Sequence, residues 1–349
     1  MNDFINSQAV NLDSAVIPIA PTGFKSGFIG IIGRPNVGKS TLMNQWVGQK
    51  IAITSPIAQT TRNRLRGIVT GERSQMIFVD TPGIHKPHHE LGKVLVKNAE
   101  NAINSVDLVL FVVDSSNFLG NGDRYIADLL TKNQTPTILG LNKADQQPED
   151  REPLDDSYRT LAAENNWPLL KFSALEGTGI AALQNLLTDS LEVGPYYYPP
   201  DLVTDQPERV IMGELIREQI LLQTRQEIPH SVAVVIERVE ETPALTRVFA
   251  AINVERDSQK GIVIGKNGSM LKEIGSSARS AIQKLIAGEV YLKLFVKVEP
   301  KWRQSRSLLA EFGYRTEEWR ERGIMNYELS IMNWWAGIMN YELWSGEKK

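Results

Sequence analysis

The sequence contains no cysteine in 349 residues. Disulfides, cysteine-ligated zinc, iron–sulfur clusters and thiol nucleophiles are thereby excluded, and a reducing compartment is permitted, with the cytoplasm as the default expectation. Long apolar runs are also missing: no stretch reaches the roughly 18 residues that a membrane-spanning helix needs. The opening MNDFINSQAVNLDSAV has neither the basic start nor the apolar core of a secretory signal, so no segment is expected to cross a membrane. Neither sign of charge is in large excess. With 38 Lys and Arg against 41 Asp and Glu, the formal net charge is −3 and names no partner. The 42% hydrophobic and 23% charged content is that of an ordinary globular chain. At about 150 residues per domain, the length predicts two domains or three.

Residues 1–24 are polar, carry Pro18 and Pro21 and keep no period, which predicts a loose leader. Over 25–193, short β-rich runs alternate with helical patterns: GFIGIIG (27–33), MIFVD (76–80), LVLFVVD (108–114), TPTILGLN (135–142) and PLLKFSA (168–174). That alternation predicts an α/β domain with a mostly parallel sheet. After residue 90, Leu91, Val94, Leu95, Ala99, Ala102, Ile103 and Val106 share one helix face, to be packed on that sheet. The stretch 194–207, GPYYYPPDLVTDQP, holds four prolines and a tyrosine triplet and reads as a linker. Beyond it, 208–312 predicts a small α+β domain: a helix (208–226), two strands (231–239 and 246–255), helices at 258–264 and 269–287, and a strand (290–299). In the tail, 313–349, GIMNYEL occurs at 323–329 and again at 337–343. Two copies cannot stack as a solenoid. A translated DNA repeat fits better than a domain, the alternative being a membrane anchor or partner helix built on Trp334, Trp335 and Trp344.

The segment GRPNVGKST (33–41) follows a predicted strand and opens a predicted helix, the setting a phosphate-binding loop requires. Gly33 and Gly38 let the backbone curl so that its N–H groups and the helix N-terminus face phosphate oxygens. Arg34, Pro35, Asn36, Val37 and Thr41 complete that cradle, Lys39 reaches the β- and γ-phosphates, and the Ser40 hydroxyl coordinates Mg²⁺. DTPG (80–83) stands 47 residues after Gly33, at the carboxyl end of a strand, where α/β sheets bind ligands. There Asp80 would hold Mg²⁺ through water and the Gly83 amide would sense the γ-phosphate, with Thr81, Pro82 and Ile84 alongside.

NKAD (142–145) ends another strand and selects the base. The Asp145 carboxylate can accept from guanine's ring N–H and exocyclic amine together, a donor pair adenine lacks. Asn142 would tie this loop to the phosphate loop, the Lys143 stem would cover the ring beside Ala144, and Ser173-Ala174-Leu175 would offer the Ala174 amide to the guanine carbonyl oxygen. Between the first two motifs, PIAQTTRNR (56–64) offers Thr61, chosen over Thr60, as a third Mg²⁺ ligand whose amide contacts the γ-phosphate. Lys39, Thr61 and Gly83 are the expected catalytic set. HKPHH (85–89) is a solvated loop on this reading, with a metal site or general base as the alternative.

GRPNVGKS, TTR, DTPG, NKAD and SAL, in that order, resemble the five motifs of the TRAFAC-class GTPases. Where Ras-like members carry the glutamine that orients the attacking water, this chain has Ile84, which cannot hold a water. Asn36 matches the asparagine that helps hold K⁺ in potassium-activated members, so the resemblance implies slow hydrolysis of GTP to GDP, accelerated by K⁺ over Na⁺.

In the second domain, Gly265-Lys266-Asn267-Gly268 forms a GXXG between two predicted helices, followed by Leu271, Ile274, Ala278, Ala281, Ile282 and Leu285 at helical spacing. This is the KH arrangement, in which glycines let a nucleic-acid backbone pass close to the loop. Lys266 and Lys272 are its nearest cations, and residues 260–306 carry a net +7, leaving −10 for the rest of the chain. The whole order over about residues 25–312, with KWRQSRSLLAEFGY (301–314) at its end, resembles the Era family. That resemblance implies a type II KH domain, a monomeric GTP-gated factor that binds small-subunit ribosomal RNA near its 3′ end and assists assembly of the 30S-type subunit, and peripheral association with the inner membrane. Two other readings remain on the sequence: a KH-like unit that binds a protein partner, and a metabolic enzyme that uses GTP for phosphoryl transfer.

Overall fold

The computed structural model describes residues 17–55, 65–84, 90–224, 228–286 and 288–314. Thr61, the HKPHH loop, leader residues 1–16 and tail residues 315–349 lie outside the described residues.

The first unit runs β1 (Lys25–Ile32), α1 (Lys39–Val47), β2 (Leu65–Thr70), β3 (Ser74–Asp80), α2 (Glu90–Asn104), β4 (Leu108–Asp114), α3 (Asn121–Asn133), β5 (Thr137–Asn142), α4 (Glu152–Asn165), β6 (Leu169–Lys171) and α5 (Ile180–Ser190). Its sheet is ordered β2-β3-β1-β4-β5-β6 and is parallel except for β2, which pairs antiparallel with β3. Alternate residues serve the two faces. Leu108, Leu110 and Val112 pack with Leu42, Met43 and Trp46 of α1 and Leu183 and Leu187 of α5. Val109, Phe111 and Val113 pack with Ala99 and Ile103 of α2, Ile126 and Leu130 of α3, and Tyr158 and Leu161 of α4. Burial on both faces is why these strands read as unbroken apolar runs. The parallel arrangement also gathers the turns after β1, β3, β5 and β6 at one edge. β6 is shorter than the predicted 168–174 because Ser173 leaves the ladder, its N–H donating to Thr178 O at 2.9 Å.

The second unit comprises α6 (Glu208–Gln223), α7 (Ile228–Ser231), β7 (Ala233–Glu241), β8 (Leu245–Val254), α8 (Asp257–Ile264), α9 (Ser269–Gln283), β9 (Glu289–Val298) and α10 (Arg306–Glu311). β8 is central, antiparallel to β7 and parallel to β9, so α8 and α9 form the crossover between β8 and β9. Val248, Ala250, Ile252 and Val254 turn one face of β8 into a core shared with α6 and α9. The expected α+β order is present, with boundaries shifted by a few residues and with α7 and α10 in addition. α6 stops at Gln223 because Thr224 is extended (φ −113°, ψ 163°), its hydroxyl donating back to Ile220 O at 2.6 Å.

The stretch 194–207 is fastened down. Ile68 N–H donates to Val203 O at 2.9 Å, and the fully buried Gln75 side chain accepts from the Tyr197 and Tyr198 amides while donating to Tyr198 O. The two units also share cores. Ile53 of the first is buried among Ile211, Leu215 and Ile252 of the second, a burial worth about 1.5–3 kcal/mol. Leu91 and Val94 of α2 pack with Trp302 and Leu309, and Trp302 is itself pinned by donating from Nε1 to Ser231 O at 2.9 Å.

Candidate functional site

At the carboxyl edge of the first sheet, Gly33 to Thr41 form a tight loop. A Cβ at Gly33 would lie 2.3 Å from Val112 O, so only glycine fits between β1 and β4 there. Asn36 (φ 64°) and Gly38 (φ 98°) take the left-handed conformation that turns the chain into α1, whose first residue is Lys39. No side chain caps that helix, so its leading N–H groups face the cleft and favour an anion. Lys39 is buried, and its ammonium donates to Gly33 O at 3.1 Å and Arg34 O at 2.9 Å. Burial pushes its pKa down to about 8, against the opposing pull of Asp80. Ser40 Oγ donates to Asp80 Oδ2 at 2.8 Å, bringing the two expected metal-associated oxygens together.

Around this loop the predicted residues divide. Pro35, Asn36, Gly38, Lys39, Ser40, Thr41 and Gly83 line the cleft. The Arg34 guanidinium turns away to Asp123 Oδ1 on α3 at 2.7 Å, so the loop's one arginine points off the predicted phosphate position. Val37 sends its side chain into the core and contributes its backbone. Thr81 and Pro82 are buried, with Thr81 Oγ1 donating to Ile31 O at 3.0 Å, and Gly83 packs so closely on Pro35 that a Cβ would fall 2.6 Å from its nitrogen. Ile84 is buried in the core with Ile32, Ala99 and Ile103 and lends the cleft no side chain.

Asn142 joins the second set of loops to the first. Its Nδ2 donates to Val37 O at 2.7 Å and its Oδ1 accepts from Ala174 N at 2.9 Å. The tie to the phosphate loop is as expected, but the Ala174 amide donates to Asn142 where a guanine carbonyl was predicted, because the carboxamide reaches both loops at once. Ser173 Oγ donates to Asp145 Oδ1 at 2.5 Å and orients that carboxylate, while Lys143 (φ 64°) is held by Asp114 Oδ2 at 2.7 Å. Burial pushes the Asp114 carboxyl up, but hydrogen bonds from Lys143 and Ser116 outweigh it and hold it below the usual range. Ala144 starts a 3₁₀ turn, its amide donating to Phe172 O, and Leu175 is exposed at the cleft wall.

The cleft measures about 670 Å³, a size suited to a nucleotide-sized ligand. Sequence reasoning missed Lys50, Ile53, Thr54, Ser55, Gln146, Glu218 and Leu222 on its walls. None belongs to a motif, and Glu218 and Leu222 come from α6, more than 160 residues beyond Lys50 in the chain.

The GXXG loop sits between α8 and α9 as predicted. Gly265 (φ 72°), Asn267 (φ 53°) and Gly268 (φ 79°) all take positive φ, and a Cβ at Gly265 would collide with Met270 at 2.7 Å. Apart from its immediate chain neighbours, nothing lies within 4 Å of where a Cβ on Gly268 would stand, so the backbone there is open to a partner. Lys266, Asn267 and Lys272 are exposed. A shallow groove of about 540 Å³ runs from Gly268 along Leu271, Lys272, Gly275 and Arg279 of α9, with Val290–Leu294 of β9 opposite. Arg279 and the β9 wall were not singled out in the sequence.

Among the described residues, no group of three or more histidine, aspartate or glutamate side chains could hold a metal, and no helix is long and apolar enough to cross a membrane. Family models match in two places: residues 28–143 match a 50S ribosome-binding GTPase and residues 227–303 a KH domain. GTPase Era of Rippkaea orientalis is 72% identical over 313 residues, covering 90% of this chain and all of that relative. GTPase Era of a Nostoc species is 72% identical over 302 residues, covering 86% and 93%. Among solved structures, an Aquifex aeolicus Era variant bound to GDP·AlF₄⁻ superposes with a TM-score of 0.80 at 35% identity, covering 84% of this chain and all of that one. Era in complex with MgGDPNP and nucleotides 1506–1542 of 16S ribosomal RNA gives 0.81 at 34%, with the same coverage. With an α/β GTPase unit followed by a KH unit, and identity at this level over nearly the full length of these relatives, the chain belongs to the Era family of GTPases.

Proposed function

We propose that this chain is a GTP-hydrolysing switch that binds small-subunit ribosomal RNA near its 3′ end and assists assembly of the 30S-type subunit, acting as a cytoplasmic monomer. Its working parts are a GTPase domain over 25–193, a fastened linker over 194–207 and a type II KH domain over 208–312. The observation that carries the nucleotide half is the Asn142 carboxamide, which draws three separate motifs into one cleft. Within it, Gly33 to Thr41 cradle the phosphates, Asp80 to Ile84 follow the γ-phosphate, and Asn142 to Asp145 with Ser173 to Leu175 take the guanine. Asp145, oriented by Ser173, reads the two donors that distinguish guanine from adenine.

The Ser40 hydroxyl is a hard oxygen ligand that fits Mg²⁺, with the neighbouring Asp80 carboxylate holding the ion through water and Thr61 as the third protein contributor. When bound, Mg²⁺ supplies charge neutralisation at the β- and γ-phosphate oxygens. In hydrolysis a water oxygen bonds to the γ-phosphorus as the bond to the β–γ bridging oxygen breaks, and GDP departs with that electron pair. The Lys39 ammonium and the Gly83 amide stabilise the charge that develops. With Ile84 in the core, no side chain at that position orients the water, which supports a slow intrinsic rate. A K⁺ ion held beside Asn36 would raise that rate over Na⁺.

The RNA half rests on the open Gly268 backbone, the cations Lys266, Lys272 and Arg279, and the Era relative solved with 16S ribosomal RNA. Gly265→Asp/Gly268→Asp in the full chain should weaken binding to a single-stranded 3′-end oligonucleotide of small-subunit ribosomal RNA by about 100-fold while leaving GTP affinity intact. Equal RNA affinity of variant and wild type would refute the RNA reading and favour a protein partner.

A further inference from the structure

The geometry points to Glu218, on α6 of the KH unit, as a positioning residue of the nucleotide cleft: the second domain supplies one wall of the first domain's site. Glu218 is fully buried, and its carboxylate reaches across the domain boundary. Oε1 accepts from Thr54 N at 2.8 Å and from Thr54 Oγ1 at 3.4 Å, and Oε2 accepts from Lys50 Nζ at 2.5 Å. A carboxylate withdrawn from water needs such partners, so its place is strongly specified. Ile53, the residue before Thr54, is buried in the KH core beside α6, so this strand of chain is gripped by an apolar plug and by a charged clasp.

All three gripped residues, Lys50, Ile53 and Thr54, border the ligand space. Lys50, Ile53, Thr54 and Glu218 line the cleft together with Lys39 and Asp145, and Leu222, one helical turn past Glu218 and half exposed, extends the wall. Thr54 also stands two residues ahead of the 56–64 segment that carries Thr61. On the other side, α6 shares a core with α9, whose N-terminal end bears Gly268 of the groove. A nucleotide in the cleft therefore touches an element that is continuous with the RNA site. This rests on the reading of the cleft as a guanine-nucleotide site.

The test is the release of N-methylanthraniloyl-GDP from the full chain, chased with unlabelled GDP, together with KM and kcat for GTP. Glu218→Ala should release about tenfold faster and raise KM by a similar factor, with the loss falling on KM rather than kcat. Glu218→Gln keeps an oxygen for Thr54 N and should recover most of the difference. Leu222→Ser, at a half-exposed position that does not threaten folding, should release about threefold faster. Wild-type release from Leu222→Ser and from a folded Glu218→Ala would overturn the proposal and leave the nucleotide reading standing. Equal impairment in Glu218→Ala and Glu218→Gln would also overturn it, because the hold on Thr54 would then be irrelevant. Failure of the wild-type chain to retain labelled GDP would refute the nucleotide reading itself, before any variant is compared.

Discussion

The nucleotide cleft and the KH groove are built in opposite ways. The cleft is assembled from polar groups that hold one another across long sequence separations: Asn142 to Val37, Ala174 to Asn142, Ser40 to Asp80. The groove is assembled from exposed cations and a loop of positive-φ residues whose contacts are local. A buried, cross-tied site has no spare partner for any lost group, so its residue identities are nearly dictated. An exposed groove reads backbone and charge, which several residue types can supply.

The largest effect expected from this contrast is in the cleft. Asn142→Ala removes the clasp between three loops and leaves the Val37 carbonyl and Ala174 amide without it, so GDP and GTP affinity should fall about 100-fold or more. RNA affinity measured without nucleotide should be unchanged, and an equal fall in both would erase the contrast. A smaller and more specific effect comes from pH. Lys39 has a pKa of about 8 in the structure, while bound phosphates favour the ammonium and raise it. Affinity for GDP should therefore be full below pH 7 and fall about tenfold between pH 7 and pH 9, as binding has to capture a proton. Isothermal titration at pH 7, 8 and 9 checks this, and a flat profile would mean that Lys39 enters the bound state without changing charge.

The same contrast explains what the sequence disclosed. Motif residues were legible because each type is demanded by local chemistry: glycine where a Cβ strikes Val112 O, asparagine where two loops need both an acceptor and a donor. The strand pattern was legible because the central strands are buried on both faces. The antiparallel β2 was not, since LRGIVT interrupts its apolar residues with an arginine and a glycine. The pairing of the Arg34 guanidinium with Asp123 was not legible, because that partner stands 89 residues away. Glu218 was missed for the same reason: on a helix it reads as an ordinary charged residue, and only the fold brings Thr54 to it. The stretch 194–207 reads as a linker in the sequence, whereas the buried Gln75 that fastens it lies in another part of the chain.

The central claim is that the cleft and the groove form one switch, joined through α6. The most direct measurement is the affinity of the full chain for a 3′-end small-subunit ribosomal RNA oligonucleotide with a non-hydrolysable GTP analogue, with GDP, and with no nucleotide. A difference of about fivefold or more between the GTP-analogue and GDP states is predicted, the range of a typical coupling between sites. Identical RNA affinity in all three states, with both ligands demonstrably bound, would contradict it.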